Sequence, residues 1–538
     1  MQLRDIYKVA EEAGIGEEYV IPYGKNKAKV DLGILDSLGE RKGKLVLVTA
    51  ITPTKAGEGK TTASIALAEG LGQMGKKALL CLREPSLGPV FGLKGGATGG
   101  GRVTVEPSMD INLHFNGDMH ALTSSIDLIA AVIDNSIYQG NPLNIDPERI
   151  VWKRALDVND RALRSIRVAE DDKKCEPHKA SFVITVASEL MAIFCLASGP
   201  EDFLKRLKRI TVAFDKEGKP ITIGDLKVSH AVMRLMKDAF NPNLVQTSEG
   251  NPVLIHGGPF ANIAHGCNSL IATDLALRLS PLVITEAGFG ADLGAEKFLD
   301  IVCQEGAIKP DMAVLVATIR ALKMHGGVAF DDLSTPNVEA LQRGMANLDK
   351  HYSNLASFGL PIVVAINHFQ ADSEEEIKAL ESHCEAKGYS FAFLDGYLRG
   401  GAGAVDLAKK VIYTLDNSHS SYAPLYRKES PVEEKIETIC KKIYGADGVV
   451  YSPIAKEKLS QCASLGLSSA YVCMAKTPNS LSDDAKKLGV PKGFSINVRD
   501  VDFASGANFV IPLCGTIFTM PGLPKVPAAV KMEDEPWK

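Results

Sequence analysis

Basic residues hold no surplus in this chain: 60 Lys and Arg face 65 Asp and Glu, a net charge of −5. A surface that holds a nucleic-acid backbone normally shows as a cationic excess, so no nucleic-acid partner is expected. Long apolar runs are missing too. The greasiest stretch, residues 182–197, is shorter than a bilayer span and is interrupted by Glu189, so it reads as a buried helix and no membrane association is expected. Residues 1–13 alternate charged and apolar side chains and lack the apolar core of a secretory signal. Ten cysteines lie between Cys81 and Cys514 without one C-x-x-C pair. That excludes a zinc framework and a disulfide scaffold and makes a reducing cytoplasm the simplest location. Aromatics are sparse at 6%.

Glycine, by contrast, is frequent, with 48 residues in a chain of 538, a length that calls for two to four domains. Short apolar runs alternate with longer amphipathic stretches, the pattern of an α/β protein with a largely parallel sheet. Strands are predicted at 45–48, 78–81, 254–256, 282–285, 313–317, 362–366, 471–474 and 509–513, and a helix at 61–74, ended near Gly75. Weak composition changes at 328–337 and 419–431 mark candidate linkers, and cuts near 350 and 430 divide the chain into 1–350, 351–430 and 431–538, a nucleotide-binding core followed by two smaller α/β domains.

Between the first strand and its helix stand Thr54, Lys55, Ala56, Gly57, Glu58, Gly59, Lys60, Thr61 and Thr62. A strand, a small-residue loop and a helix N-terminus together make a phosphate-binding loop. Backbone N–H groups can point inward, the helix end adds partial positive charge, and Lys60 can reach the outer phosphates of ATP. The Thr61 hydroxyl is placed to hold Mg²⁺. The full signature has one more glycine where this chain has Thr54, so the loop is a variant. A plain glycine turn with an exposed lysine is the bland alternative, and the strand–loop–helix context disfavours it.

After the second strand comes Arg83-Glu84-Pro85-Ser86-Leu87-Gly88-Pro89, at the sheet edge where ligands of open parallel sheets gather. Gly92, Gly95, Gly96, Gly99, Gly100 and Gly101 follow. Such a density is entropically costly unless backbone must approach a ligand or turn tightly, a flexible linker being the competing reading. In Asp110 to His120 the histidines His114 and His120 are six residues apart, which is not the spacing of a helical metal pair. Asp118, after Gly117, reads as a turn residue facing a ligand and as the N-cap of a helix over 120–133.

These blocks, with Asn112-Leu113-His114-Phe115, resemble the formate–tetrahydrofolate ligases. So do Asp157-Val158-Asn159-Asp160-Arg161, Ile184-Thr185-Val186-Ala187-Ser188-Glu189, the stretch from His256 to Ser269, the stretch from Thr285 to Lys297, and Thr519-Met520-Pro521-Gly522-Leu523-Pro524. The resemblance spans nearly the whole chain. It implies that ATP phosphorylates formate to formyl phosphate, which the N10 amine of tetrahydrofolate attacks to give 10-formyltetrahydrofolate, ADP and phosphate. It assigns Lys60 and Arg83 to phosphoryl transfer, Asp118 to orienting the amine or taking its proton, and Phe369 and Tyr397 to the walls of a pterin slot. Phe289 is the candidate for adenine contact. Cys267 and the His256/His265 pair fit packing as well as catalysis.

The family usually has Trp at Tyr397 and more often Tyr at Arg102, and the 326–337 loop is short here. The resemblance further implies a homotetramer stimulated by a monovalent cation, K⁺ or NH₄⁺. Three rivals remain at this point: a phosphate-loop ATPase coupled to a partner, a ligase for another acid, and a non-catalytic folate or nucleotide binder.

Overall fold

The computed structural model describes residues 3–54, 57–94, 96–170, 176–515 and 517–534. Its centre is a twelve-stranded mixed sheet. Seven of the strands run parallel: β1 (Lys44–Ala50), β2 (Leu79–Leu82), β3 (Pro252–Ile255), β4 (Leu282–Glu286), β5 (Met312–Ala317), β6 (Ile362–Asn367) and β7 (Ser390–Leu394). Their spatial order is β3-β2-β4-β1-β5-β6-β7. β2, β3, β4, β5 and β6 are buried throughout, and β1 everywhere but at Lys44. Burial on both faces is why they read as unbroken apolar runs instead of alternating ones. Antiparallel strands Asn243–Thr247, Ala28–Val30 and Val20–Pro22 extend the sheet beyond β3.

The first predicted helix is α1, Lys60–Gln73. Gly59 caps it in the left-handed region, φ +69°, and Gly70 lets it pack backbone to backbone against Ala404. β6 and β7 join the same sheet as the first 350 residues, while the C-terminal part adds two small sheets. One pairs Gly448–Tyr451 with Ser495–Val498, and the other joins Tyr471–Val472, Phe509–Leu513 and Asp500–Ala504.

The stretch 182–197 departs from its single-helix expectation. Phe182–Val183 is a strand, Thr185–Ala187 a 3-10 turn, and the helix α2, Glu189–Leu196, begins only after Ser188. The Ser188 hydroxyl accepts from Met191 N at 3.1 Å, an N-cap that fixes the start of the helix regardless of the apolar residues before it. The helix predicted over 120–133 is α3, Asp118–Tyr138. Its cap is Gly117, φ +96°, so Asp118 is the first helical residue and not the N-cap. The glycine stretch is no linker: Gly99–Gly100 pairs with Val103–Glu106.

Candidate functional site

The carboxyl ends of β1, β2, β4, β5, β6 and β7 open on one edge, and the predicted site residues leave from them. After β1, the loop is closed by its own carboxylate. Buried Glu58 accepts from Thr54 N at 2.6 Å and from the Thr318 hydroxyl after β5. The Glu58 carbonyl accepts from Asn367 Nδ2 at 3.1 Å, at the end of β6. Gly57 and Gly59 hold φ +79° and +69°, conformations in which a side chain would be strained. Lys55 and Ala56 lie outside the described residues; Lys60 opens α1, and Thr62 lies half-buried in its first turn.

Thr61 donates to both carboxylate oxygens of Glu286, at 3.0 and 3.2 Å. Glu286 ends β4, and its Oε1 is also 4.0 Å from the Arg83 guanidinium at the end of β2. Arg83 Nη1 donates to the Pro259 carbonyl at 3.3 Å, and its buried Nε has no partner among the described residues. A hydroxyl, a carboxylate and a planar cation thus converge beside the loop from three chain segments. Hard oxygen donors of the Thr61–Glu286 kind suit Mg²⁺ shared with phosphate oxygens. Among the described residues no cluster of three or more His, Cys, Asp or Glu could hold a metal by itself.

Phe289, just past β4, holds φ +59°. A bulky non-glycine residue in that region is strained, and strain of this kind gathers at ligand-binding turns. A methyl group added at Gly288 would lie 2.9 Å from both Ala261 Cβ and Arg83 Nη1, so the glycine leaves room for both.

Phe369 and Tyr397 leave the ends of neighbouring strands β6 and β7. One face of Phe369 is covered by the Arg320 guanidinium, 3.8 Å from the ring centroid, and the same guanidinium donates to the Gly57 carbonyl. Tyr397 is 51% exposed, open enough to meet a ligand. Its carbonyl accepts from Arg102 N at 2.9 Å, and its ring lies against Gly100. A methyl group on Gly101 would collide with that carbonyl, so the triple glycine is explained by close backbone approach. The two departures from the resemblance, Tyr397 and Arg102, are therefore direct neighbours.

Asp118 sits in a different setting from an open turn. It is buried, with Lys29 Nζ 2.6 Å from Oδ1 and Asn243 Nδ2 2.8 Å from Oδ2. Burial first, and then the Asp118 charge, hold the neighbouring Glu84 carboxyl well above the usual carboxylate range. Asp157, which accepts from Ser86 Oγ at 2.7 Å and Leu87 N at 2.9 Å, is pushed up to about 6 by burial. The His256 and His265 rings are fully buried and pushed down to about 4 and 3 by loss of hydration. The Cys267 thiol is raised to about 12 for the same reason. Burial favours the uncharged form of all three.

Sequence reading missed Glu286, Arg320, Asn367 and Lys29. Glu286 carried one usable signal, an acid ending an otherwise uncharged buried strand. The others act on residues more than 80 positions away.

A mixed α/β protein with a large, mostly parallel sheet and polar side chains gathered at its carboxyl edge is the class these features define. Within that class, the family model described as Formate--tetrahydrofolate ligase matches residues 1–536. The chain belongs to that family and ligates formate to tetrahydrofolate, a reaction of one-carbon metabolism; the family implies ATP as the third substrate. No helix among the described residues is long and apolar enough to cross a membrane.

Proposed function

We propose that the chain activates formate as formyl phosphate at the carboxyl edge of the central sheet. Formate is a poor electrophile because its carbon is shielded by carboxylate charge and would have to expel oxide. In this reading a formate oxygen attacks the γ-phosphorus of ATP and ADP leaves. The N10 amine of tetrahydrofolate then attacks the formyl carbon, the carbon–oxygen bond to phosphate breaks, and phosphate departs with the formate oxygen. The amine loses its proton to a base.

Such chemistry is catalysed chiefly by positioning and charge neutralisation. Lys60 and residues 54–62 cradle the phosphates, and Arg83 offers a fork to the transferring oxygens. Thr61 and Glu286 would hold Mg²⁺, which supplies charge neutralisation when bound. Phe289 contacts adenine. Phe369 and Tyr397 form the pterin slot, flat apolar walls for a flat ring. Asp118 orients the amine or accepts its proton; because Lys29 and Asn243 engage both its oxygens, that role requires one bond to exchange. A homotetramer stimulated by K⁺ or NH₄⁺ follows from the family resemblance, a cytoplasmic location from the cysteine usage, and the division into 1–350, 351–430 and 431–538 from the composition changes.

The observation that carries it is the meeting of Thr61, Glu286 and Arg83 beside the loop. The test is isotope transfer from formate labelled with ¹⁸O, run with ATP and tetrahydrofolate. Label in the released phosphate supports the intermediate. Unlabelled phosphate, with product still formed, contradicts it.

A further inference from the structure

A cavity of about 660 Å³ lies between the strand segments near 150–153 and 179–183, the start of α2, and the C-terminal strands Asp500–Ala504 and Phe509–Leu513. None of Lys60, Arg83, Glu286, Phe289, Phe369 and Tyr397 lines it. Its size falls within the roughly 300–1,000 Å³ of small-molecule sites.

Its walls differ in chemistry. Arg154 N donates to Ser181 O at 3.0 Å, and this pairing brings Lys153 and Lys179 to one side. Lys179 is exposed and Lys153 half-buried at the cavity rim, and neither ammonium makes a hydrogen bond or ion pair among the described residues. Arg164 is a third cation on the wall. Its Nε donates to Met520 O at 2.8 Å and its guanidinium covers Phe518, leaving the terminal N–H groups without a bond among the described residues. On another side the Glu189 carboxylate accepts from Gly506 N at 2.6 Å. Its chain neighbourhood is fixed by Thr211 N donating to Ser505 Oγ at 2.8 Å. Glu189 is half-exposed although hemmed in by protein, which pushes its carboxyl up to about 7. Aromatic surface is supplied by Trp152, whose indole N–H is already spent on Ile126 O at 3.0 Å, and by Phe503.

Cations without protein partners call for an anion, since an ammonium beside low-dielectric walls gains most from a charged acceptor. Ring surfaces call for a flat apolar body. The Glu189 carboxyl, already bonded by backbone N–H groups of Gly506 and Ala507, keeps lone pairs that suit one further N–H donor when it is ionised. We propose that this cavity is a small-molecule site, separate from the ligase centre, for a flat aromatic anion that carries an N–H donor.

The probe is 8-anilinonaphthalene-1-sulfonate, which has all three features. The chain has only two tryptophans, Trp152 and Trp537, so in the Trp537→Phe protein energy transfer from Trp152 reports occupancy of the cavity. Saturable one-to-one binding with quenching of Trp152 is expected. Lys153→Glu combined with Lys179→Glu should weaken it by roughly tenfold to a hundredfold, with ligase kinetics and circular dichroism unchanged. Saturating ATP, formate and tetrahydrofolate should not displace the probe. Non-saturable binding, wild-type affinity in the double variant, or displacement by the substrates would each overturn the proposal. The first two would mark a solvent crevice and the third an annex of the ligase centre.

Discussion

The Arg320 guanidinium lies 3.8 Å from the centroid of the Phe369 ring while it donates to the carbonyl of Gly57 in the loop after β1. One side chain therefore touches both the loop assigned to ATP phosphates and the ring assigned to the pterin. Asn367, two residues before Phe369, repeats the link through its bond to the Glu58 carbonyl. The loop and the ring proposed for the two substrates are tied by direct contacts.

Arg320→Ala removes the stacking contact and the loop hydrogen bond together. Each is a contribution of about 1 kcal/mol, so kcat/KM for ATP and for tetrahydrofolate should both fall, by roughly tenfold. Arg320→Lys, which keeps the charge but not the planar fork, should recover only part of the loss. Steady-state kinetics with each substrate varied checks this; a fall confined to one substrate would break the link.

Thr61→Ala and Glu286→Gln should each raise the Mg²⁺ concentration needed for half-maximal activity, and the double variant should be less than additive, because the two side chains bond to each other. Magnesium titrations of the four proteins measure it. Full additivity would mean that they act separately.

Lys29→Met should destabilise the fold by about 3–5 kcal/mol, since it leaves Asp118 buried and uncompensated next to Glu84. Urea unfolding gives the number. A neutral result would require Asp118 to be reached by water.

The buried histidines should withdraw stability as pH drops from about 6.5 to 4, while the raised carboxyls of Glu69, Asp157 and Glu189 act in the opposite sense by binding protons in the native state first. His256 and His351 are fully buried and held down to about 4, and His265 to about 3. Over that range these histidines take up protons in the unfolded chain but not in the native state, so their contribution to the free energy of unfolding decreases with falling pH. Above 6.5 these groups are neutral in both states and contribute no pH dependence. Each contributes up to about 1.4 kcal/mol per pH unit. Thermal unfolding of the wild type and of His351→Gln across pH 4–8 isolates one such group: the wild type should lose stability relative to the variant as pH falls below about 6.5.

How legible the fold was depended on how local its causes are. β1 and α1 fell within a residue or two of their predicted limits, because an apolar run, a glycine-rich turn and Gly75 are neighbours in the chain. The apolar stretch 182–197 misled because its hydrophobicity reflects burial, not helix, and the decisive Ser188 cap is one hydroxyl. At the site, Thr61 was readable from its loop but its partner Glu286 was not. The bond joins residues 225 positions apart, and only the β1–β4 pairing brings them together. Asp118 was legible as an acid after glycine. Its burial against Lys29 depends on a strand 89 residues earlier.

The most direct test of the account is product formation with Mg-ATP, formate and tetrahydrofolate, quenched in acid and read as the absorbance of the 5,10-methenyl compound, for the wild type and for Lys60→Ala. The expected result is a signal that needs all three substrates and is lost in the variant. ATP hydrolysis that proceeds without formate, or a Lys60→Ala protein of undiminished rate, would contradict it.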